Sequence, residues 1–406
     1  MYLSICRSTL PICLLVILLP LFSYSQNDSI PKKDPVVAKK WYDNIAIRGY
    51  TQIRYNRLLE TNENLGCEQC DRSWGKNGGF FIRRMRIIFF GQIHKNVYLY
   101  LQPDFASSPS SDRLHFAQIR DAYLDVGLDK DNAFRFRIGQ SKVPYGFENM
   151  QSSQNRIPLD RNDALNSAVT NERDLGVFFY WAPKNKRQLF SKLVGDGLKG
   201  SGDYGVFAFG VYNGQTANNP ELNNELHTVV RFSYPFEWKN QIIEAGVQAY
   251  TGKFVMSNLS RDVKRVSNLN YIDERVAGSF ALYPKPFGLF AEYNVGRGPE
   301  FNKVTDSIEV MPLKGGYIQP CYLIKMKNQT IIPFIRYQYY DGGKKHELDA
   351  RSYEVSELEL GAEWQPNRYF ELVLNYTISN RRYEDFRLQN NFQSGRLLRI
   401  QAQVNF

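Results

Sequence analysis

Polar and apolar residues exchange places at nearly every step along most of this chain. From residue 45, Ile45, Ile47, Gly49, Thr51, Ile53 and Tyr55 alternate with Ala46, Arg48, Tyr50, Gln52, Arg54 and Asn56. This is the two-residue period of a strand, whose successive side chains leave opposite faces. The pattern returns in shifted phase, with Met85, Ile87 and Phe89 against Arg84, Arg86 and Ile88, then Val97, Leu99 and Leu101 against Tyr98, Tyr100, Gln102 and Asp104. Further strands are predicted near 117–127, 132–140, 174–182, 203–213, 226–234, 241–251, 274–284, 287–294, 316–326, 330–340, 353–365, 369–380 and 395–406.

About sixteen strands result, and spread over residues 45–406 they leave roughly 23 residues for each strand and its connection. Short links are read at Asp129-Lys130-Asp131, Ala182-Pro183-Lys184-Asn185, Pro235-Phe236-Glu237, Pro284-Lys285-Pro286 and Gln365-Pro366-Asn367. Between them fall long polar stretches at 57–79, 142–173, 213–225, 252–273, 296–315, 341–352 and 382–394. Tight turns alternating with long loops are the signature of a transmembrane antiparallel β-barrel, all-β and closed, with an even strand number. A soluble sandwich would alternate too, but aromatic pairs such as Tyr339-Tyr340 and Tyr369-Phe370 sit at strand ends, where a headgroup girdle belongs. The last strand also runs on through Leu398, Ile400, Ala402 and Val404 to a terminal Phe406, an ending that resembles an outer-membrane assembly signal read by barrel assembly machinery.

The first residues fit export. Arg7 precedes an apolar run from Leu10 to Phe22, and Ser23-Tyr24-Ser25 forms a small-x-small cleavage site. Residues 1–25 are therefore expected to be a signal peptide, because the run is too short for a spanning helix, which needs about 20 residues. Residues 26–44 open with a polar, Pro/Lys-rich stretch and are expected to be a flexible periplasmic lead-in to the 45–406 barrel domain. No later apolar run could span a bilayer as a helix, so closed strands are what remains for an exported membrane chain.

Composition agrees, with 26 Tyr, 27 Phe and 14% aromatic residues overall. The formal charge is +10, to which the first 25 residues contribute only Arg7. Export makes nucleic acid a poor partner for this charge and leaves an anionic solute or surface. Cys67 and Cys70 form one CxxC pair without a second, so a local disulfide is favoured over a metal site, and no cofactor or metal is expected. His94, His115, His227 and His346 lie near strand ends or loops without an evident nucleophile, and no catalytic motif is present.

Several segments resemble the phosphate-selective porin O and P family. They are Phe81-Ile82-Arg83-Arg84-Met85-Arg86, Leu101-Gln102-Pro103-Asp104-Phe105-Ala106, Arg120-Asp121-Ala122-Tyr123, Gly139-Gln140-Ser141-Lys142-Val143-Pro144-Tyr145-Gly146 and Asn171-Glu172-Arg173-Asp174-Leu175-Gly176-Val177. The resemblance implies a sixteen-stranded barrel embedded in outer-membrane lipid, a homotrimer, and a third external loop folded into the pore. By strand count that loop is 142–173. It carries Lys142, Arg156, Arg161 and Arg173 against Glu148, Asp160, Asp163 and Glu172, and so is close to neutral rather than Lys-dominated.

On the inward faces the alternation places Arg48, Arg54, Arg84, Arg86, Arg135, Arg137, Arg231, Arg336 and Arg399. Lumen bases offset the dehydration of an entering anion, and the planar guanidinium fork suits oxyanions such as phosphate. Inward acids also occur at Asp104, Asp121, Asp125, Glu244, Glu357, Glu359 and Glu363. Two outcomes therefore stand open for each arginine, an electropositive track or ion pairs that stiffen the wall. The expectation is passive diffusion of small anions, phosphate or polyphosphate by resemblance alone. The alternative is a surface binding or adhesion barrel without an open channel.

Overall fold

The structure is a computed structural model that describes residues 40–59, 79–107 and 115–406. The signal peptide, most of the lead-in, and Cys67 with Cys70 lie outside the described residues. A short 3-10 turn, Trp41–Asn44, leads into β1 (Ile45–Leu58), β2 (Gly79–His94), β3 (Val97–Ser107), β4 (His115–Gly127), β5 (Phe134–Lys142) and β6 (Arg173–Trp181). Then follow β7 (Phe207–Tyr212), β8 (His227–Trp238), β9 (Gln241–Val255), β10 (Asn270–Leu282), β11 (Phe287–Asn302) and β12 (Ser307–Tyr322). β13 (Ile324–Lys325), β14 (Thr330–Gly343), β15 (Ser352–Asn367), β16 (Phe370–Glu384) and β17 (Phe392–Asn405) complete the series.

Every pairing between these strands is antiparallel and between sequence neighbours, save β1 with β17 and β12 with β14. β1 pairs with β17 from Tyr50↔Asn405 to Leu58↔Leu397, which closes the sheet and removes its edges. β13 is a two-residue continuation of the path of β12, both lying against β14, so the closed barrel has sixteen staves. Phe406 stands just past β17, and its backbone exchanges hydrogen bonds of 2.8 and 3.0 Å with Gly49.

Alternation sorts the two faces. Ile47, Ile53, Met85, Leu101, Ile119, Ile138, Val247, Ile335 and Leu374 are exposed on the outside. Their neighbours Gln52, Arg54, Arg84, Arg86, Gln102, Arg336 and Asn375 are buried inside. Charged groups survive there because each finds a partner in a filled lumen.

Two insertions fill it. The loop 143–172 carries α1 (Phe147–Met150) and α2 (Asp163–Ala168), the latter capped by Asn162, whose side chain accepts from Leu165 N at 3.0 Å. The second insertion corrects the sequence reading. The short link expected at 182–185 is a long excursion, 182–206, containing α3 (Lys184–Gly195). Leu189, Leu193 and Leu198 from it join Phe147, Ile157 and Leu159 of the loop and wall residues Ile242, Tyr283, Phe290, Ile332 and Val373 in one apolar core. Apolar positions 189, 190, 193 and 194 have helical spacing, and burial against the opposite wall is what holds the helix.

Two smaller expectations also change. The stretch 296–315 is not a loop, since β11 and β12 continue through it to a turn at 303–306. Outward positions there include polar residues such as Arg297 and Lys314, which hides the alternation. Tyr339 and Tyr340 do not form a girdle pair, because Tyr340 points inward and its hydroxyl donates to Gly343 O at 2.6 Å.

Candidate functional site

The loop is held down by the arginines of the wall. Asp160 accepts from Arg54 of β1 at 2.7 Å and Arg399 of β17 at 2.8 Å, and Arg83 of β2 lies 3.5 Å away. Arg336 of β14 donates to Asp160 O at 2.8 Å and pairs with Glu148 at 3.3 Å. Arg275 of β10 donates to Ala164 O, Ser167 Oγ and Ser167 O, closing off the end of α2. Lys344 and Asp163 form a further pair from the loop that follows β14. Asp160, Glu148 and Asp163 pair with bases, and Arg275 is satisfied by neutral acceptors of α2, so the loop supplies partners that the wall charges need.

Two β-bulges add inward arginines that alternation alone would send into lipid. Gln52 faces Arg84 and Ile53 faces Ile82, which leaves Arg83 as the extra residue. Gln102 faces Asp121 and Pro103 faces Ile119, which leaves Arg120 extra, buried and 3.9 Å from Glu172. A bulge re-aims one side chain without disturbing the strand beyond it.

The predicted bases divide into three groups by placement. Arg54, Arg86 and Arg336 bind the loop or its anchors, with Arg86 on Asp104 at 2.8 Å and on Ser153 Oγ at 3.1 Å. Arg84, also on that wall, donates to Gln52 Oε1 at 3.0 Å. Arg156 and Arg161 act within the loop, the first on the carbonyls of Pro158 and Leu159, the second 3.3 Å from Glu172. Burial alone would raise the Glu172 carboxyl, but Arg173, Arg161 and Arg120 outweigh it and hold it well below its usual range. Arg231 holds the second insertion, reaching Gly205 O at 3.2 Å and Glu244 at 3.3 Å.

The remaining five, Arg48, Arg135, Arg137, Lys142 and Arg173, line a cavity of about 450 Å³ together with Arg187. It runs along β1 to β6 on the side the apolar core leaves open, and it reaches the short-turn rim at Gln92, Asn96, Gly127 and Asn132. Three acids line it, and each is committed: Asp125 to Arg137 at 2.7 Å, Asp121 to Arg173 at 3.0 Å, and Asp203 to Arg135 at 2.9 Å and Arg187 at 2.8 Å. Two bases have no acid within ion-pair distance among the described residues. Lys142 donates to the carbonyls of Met150 and Gln151 at 3.1 and 2.7 Å, and Arg48 rests 4.9 Å from the centre of the Phe90 ring.

Sequence reasoning missed the tyrosines of this vestibule and the bases Arg83, Arg120, Arg275 and Arg381. Adjacent charges within a strand, Arg83-Arg84 and Arg120-Asp121, were the signal for the bulges. Among the described residues no cluster of three metal-ligating side chains occurs.

A closed sixteen-stave barrel, apolar outside and charged within, narrowed by an infolded loop and open along a basic vestibule, is the architecture of a bacterial outer-membrane porin. The model of the phosphate-selective porin O and P family matches residues 66–406, and the chain belongs to that family. Fold and family mark a channel rather than an enzyme, resident in the bacterial outer membrane.

Solved structures carry the same fold. The outer membrane channel DcaP of Acinetobacter baumannii shares 14% identity, covers 91% of this chain and 100% of its own, and superposes with a TM-score of 0.57. OmpT of Vibrio cholerae, solved in trimer form, shares 8% over 89% of this chain and 99% of its own, at 0.51. An anion-selective porin from Comamonas acidovorans shares 9% over 89% and 99%, at 0.50. No curated protein matches the chain.

Proposed function

We propose that this porin passes small anions by passive diffusion through the vestibule, with phosphate among them, and that it works as a homotrimer. The observation that carries the reading is the charge of the lining, six bases against three acids, with each acid already paired. The charge of Arg48, which has no acid partner among the described residues, sets a positive potential where an ion must shed part of its hydration. The trimer follows the assembly named for OmpT, and phosphate follows the family's name. The family and the anion-selective relative support the same sign of selectivity. Phe406 is proposed as the element that the barrel assembly machinery reads.

The test is the zero-current potential of the reconstituted protein across a tenfold salt gradient. An anion-selective potential that falls when Lys142→Met and Arg48→Ala are combined is the expected result. A cation-selective potential, or one that the double variant leaves unchanged, refutes the assignment. A barrel that opens no channel at all favours the surface-binding alternative.

A further inference from the structure

The vestibule holds more than charge. Tyr98 and Tyr100 of β3, Tyr123 of β4 and Tyr204 of the 196–206 segment all line it. Tyr100 and Tyr123 stack with centroids 5.0 Å apart and planes at 12°, forming one aromatic strip across two strands. Arg137 sits over this strip, 3.9 Å from the Tyr123 centroid, and stands 5.4 Å from Tyr204. Lys142 approaches the same Tyr204 ring at 6.0 Å. Tyr204 thus reaches in from the second insertion towards the basic wall. Its segment bends sharply at Gly202 and Gly205, whose φ values of 91° and 75° suit glycine.

Several polar atoms here are unspent. The hydroxyls of Tyr98, Tyr123 and Tyr204 have no hydrogen-bond partner among the described residues, whereas Tyr100 donates to Gln102 at 2.8 Å. Arg135 is 3% exposed, yet its Nη1 has no partner, and Lys142 has no acid beside it. An inorganic anion would use the charges and leave the aromatic strip idle. A cavity of about 450 Å³ also exceeds what one such ion fills and lies in the range of small-molecule sites.

We infer that the vestibule is a binding site for organic anions in which a phosphate or carboxylate is attached to a flat ring. The acid group is taken by Arg135, one inward position along β5 from the rung that Arg137 shares with Asp125 and Tyr98, and the ring lies against the Tyr98–Tyr100 edge of the strip with Tyr204 facing it. This inference rests on the anion-channel reading above and narrows it to a substrate class.

The experiment is current block in the reconstituted porin with paired probes of equal charge, phenyl phosphate against inorganic phosphate and benzoate against acetate. Aromatic contact of the usual strength predicts half-block by the ring-bearing probe at a concentration about tenfold lower. Tyr98→Leu with Tyr100→Leu should shrink that gap to about twofold, since the bulk remains but the π face is lost. Equal block within each pair overturns the inference, as does a gap that the double variant leaves intact. Should the double variant fail to fold, the wild-type probe pairs still decide. A salt-gradient potential without anion preference instead strikes the channel reading, so the two failures are told apart.

Discussion

Removing one carboxylate, that of Asp160, should loosen the infolded loop and raise anion preference together. In Asp160→Asn the shape is kept, but the charge shared by Arg54 at 2.7 Å, Arg399 at 2.8 Å and Arg83 at 3.5 Å is gone. Deleting one partner of a buried pair costs about 3–5 kcal/mol. Part of this is recovered, because Arg54 keeps Gln401 and Leu159 O, and Arg399 keeps Glu359 and Thr377. The amide can also still accept one hydrogen bond, and Asp160 itself is 13% exposed, so a net loss of about 2 kcal/mol is the reasoned value. That makes local excursions of residues 158–161 about thirtyfold more frequent, while Arg275, Lys344 and Arg336 keep the loop inside. For an ion passing at about 10 Å, the added positive charge changes its energy by about 0.4 kcal/mol in water and less in salt. Because anions gain what cations lose, the permeability ratio should rise about two- to fourfold at low salt. Single-channel recording reads both effects, as extra open-channel noise and as a shifted zero-current potential. A quiet trace with unchanged selectivity would refute the clasp.

Three further outcomes follow from other contacts. Asp203→Asn should loosen the second insertion by removing its ion pairs with Arg135 and Arg187, leaving the Arg135 bond to the backbone oxygen of residue 203, and raise conductance; with the acid in place those arginines overcome burial and hold its carboxyl below the usual range, so wild-type conductance should stay flat as pH falls from 7 to about 4. His346, edge-on to Phe254 at 4.9 Å in the loop after β14, is held well below the usual imidazole value by burial and by Lys345. Protonation therefore favours the undocked loop, stability is lost as pH drops below about 6.5, and His346→Gln should remove that acid step from amide-exchange profiles. Gly139→Val should abolish assembly, scored as loss of the heat-modifiable folded band, because φ there is 125° and a Cβ would stand 2.3 Å from Ala122 O.

Strands were readable wherever one face met lipid and the other the lumen, because that contrast writes itself into the chain as period two. β1 and β17 were placed within a few residues on this basis, and the even count closes the sheet. The signal fades where its cause is absent. Residues 296–302 and 307–315 are still paired strands, but residues 298–301 are all buried and the strict alternation is lost. Helix α3 was passed over because a barrel of this kind leads one to expect tight turns on that rim, although Leu189, Phe190, Leu193 and Val194 mark a helical face. Inward direction was legible for all nine wall arginines, while their partners were not. Asp160 lies over a hundred residues from Arg54 and further from Arg399, and only the folded loop brings the three together.

Of the two readings left open for the arginines, a charged track or a stiffened wall, ion pairing puts most of them in the wall, and electrostatics explains why, in the channel proposed above, only a few can set selectivity. A guanidinium bonded to a carboxylate is a dipole of about 3.5 Å. At about 10 Å its potential is roughly a quarter of that from a lone charge when the dipole points at the ion, and less otherwise. Arg86 with Asp104, Arg231 with Glu244 and Arg381 with Glu357 therefore add rigidity and little field. Arg48, with no acid beside it among the described residues, keeps its full charge and faces the passage that the apolar core leaves open. Moving Asp125 out of reach of Arg137 would convert a wall pair into a second such charge. Counting inward arginines thus overstates the pull on an anion, and counting unpaired bases along the vestibule is the better measure.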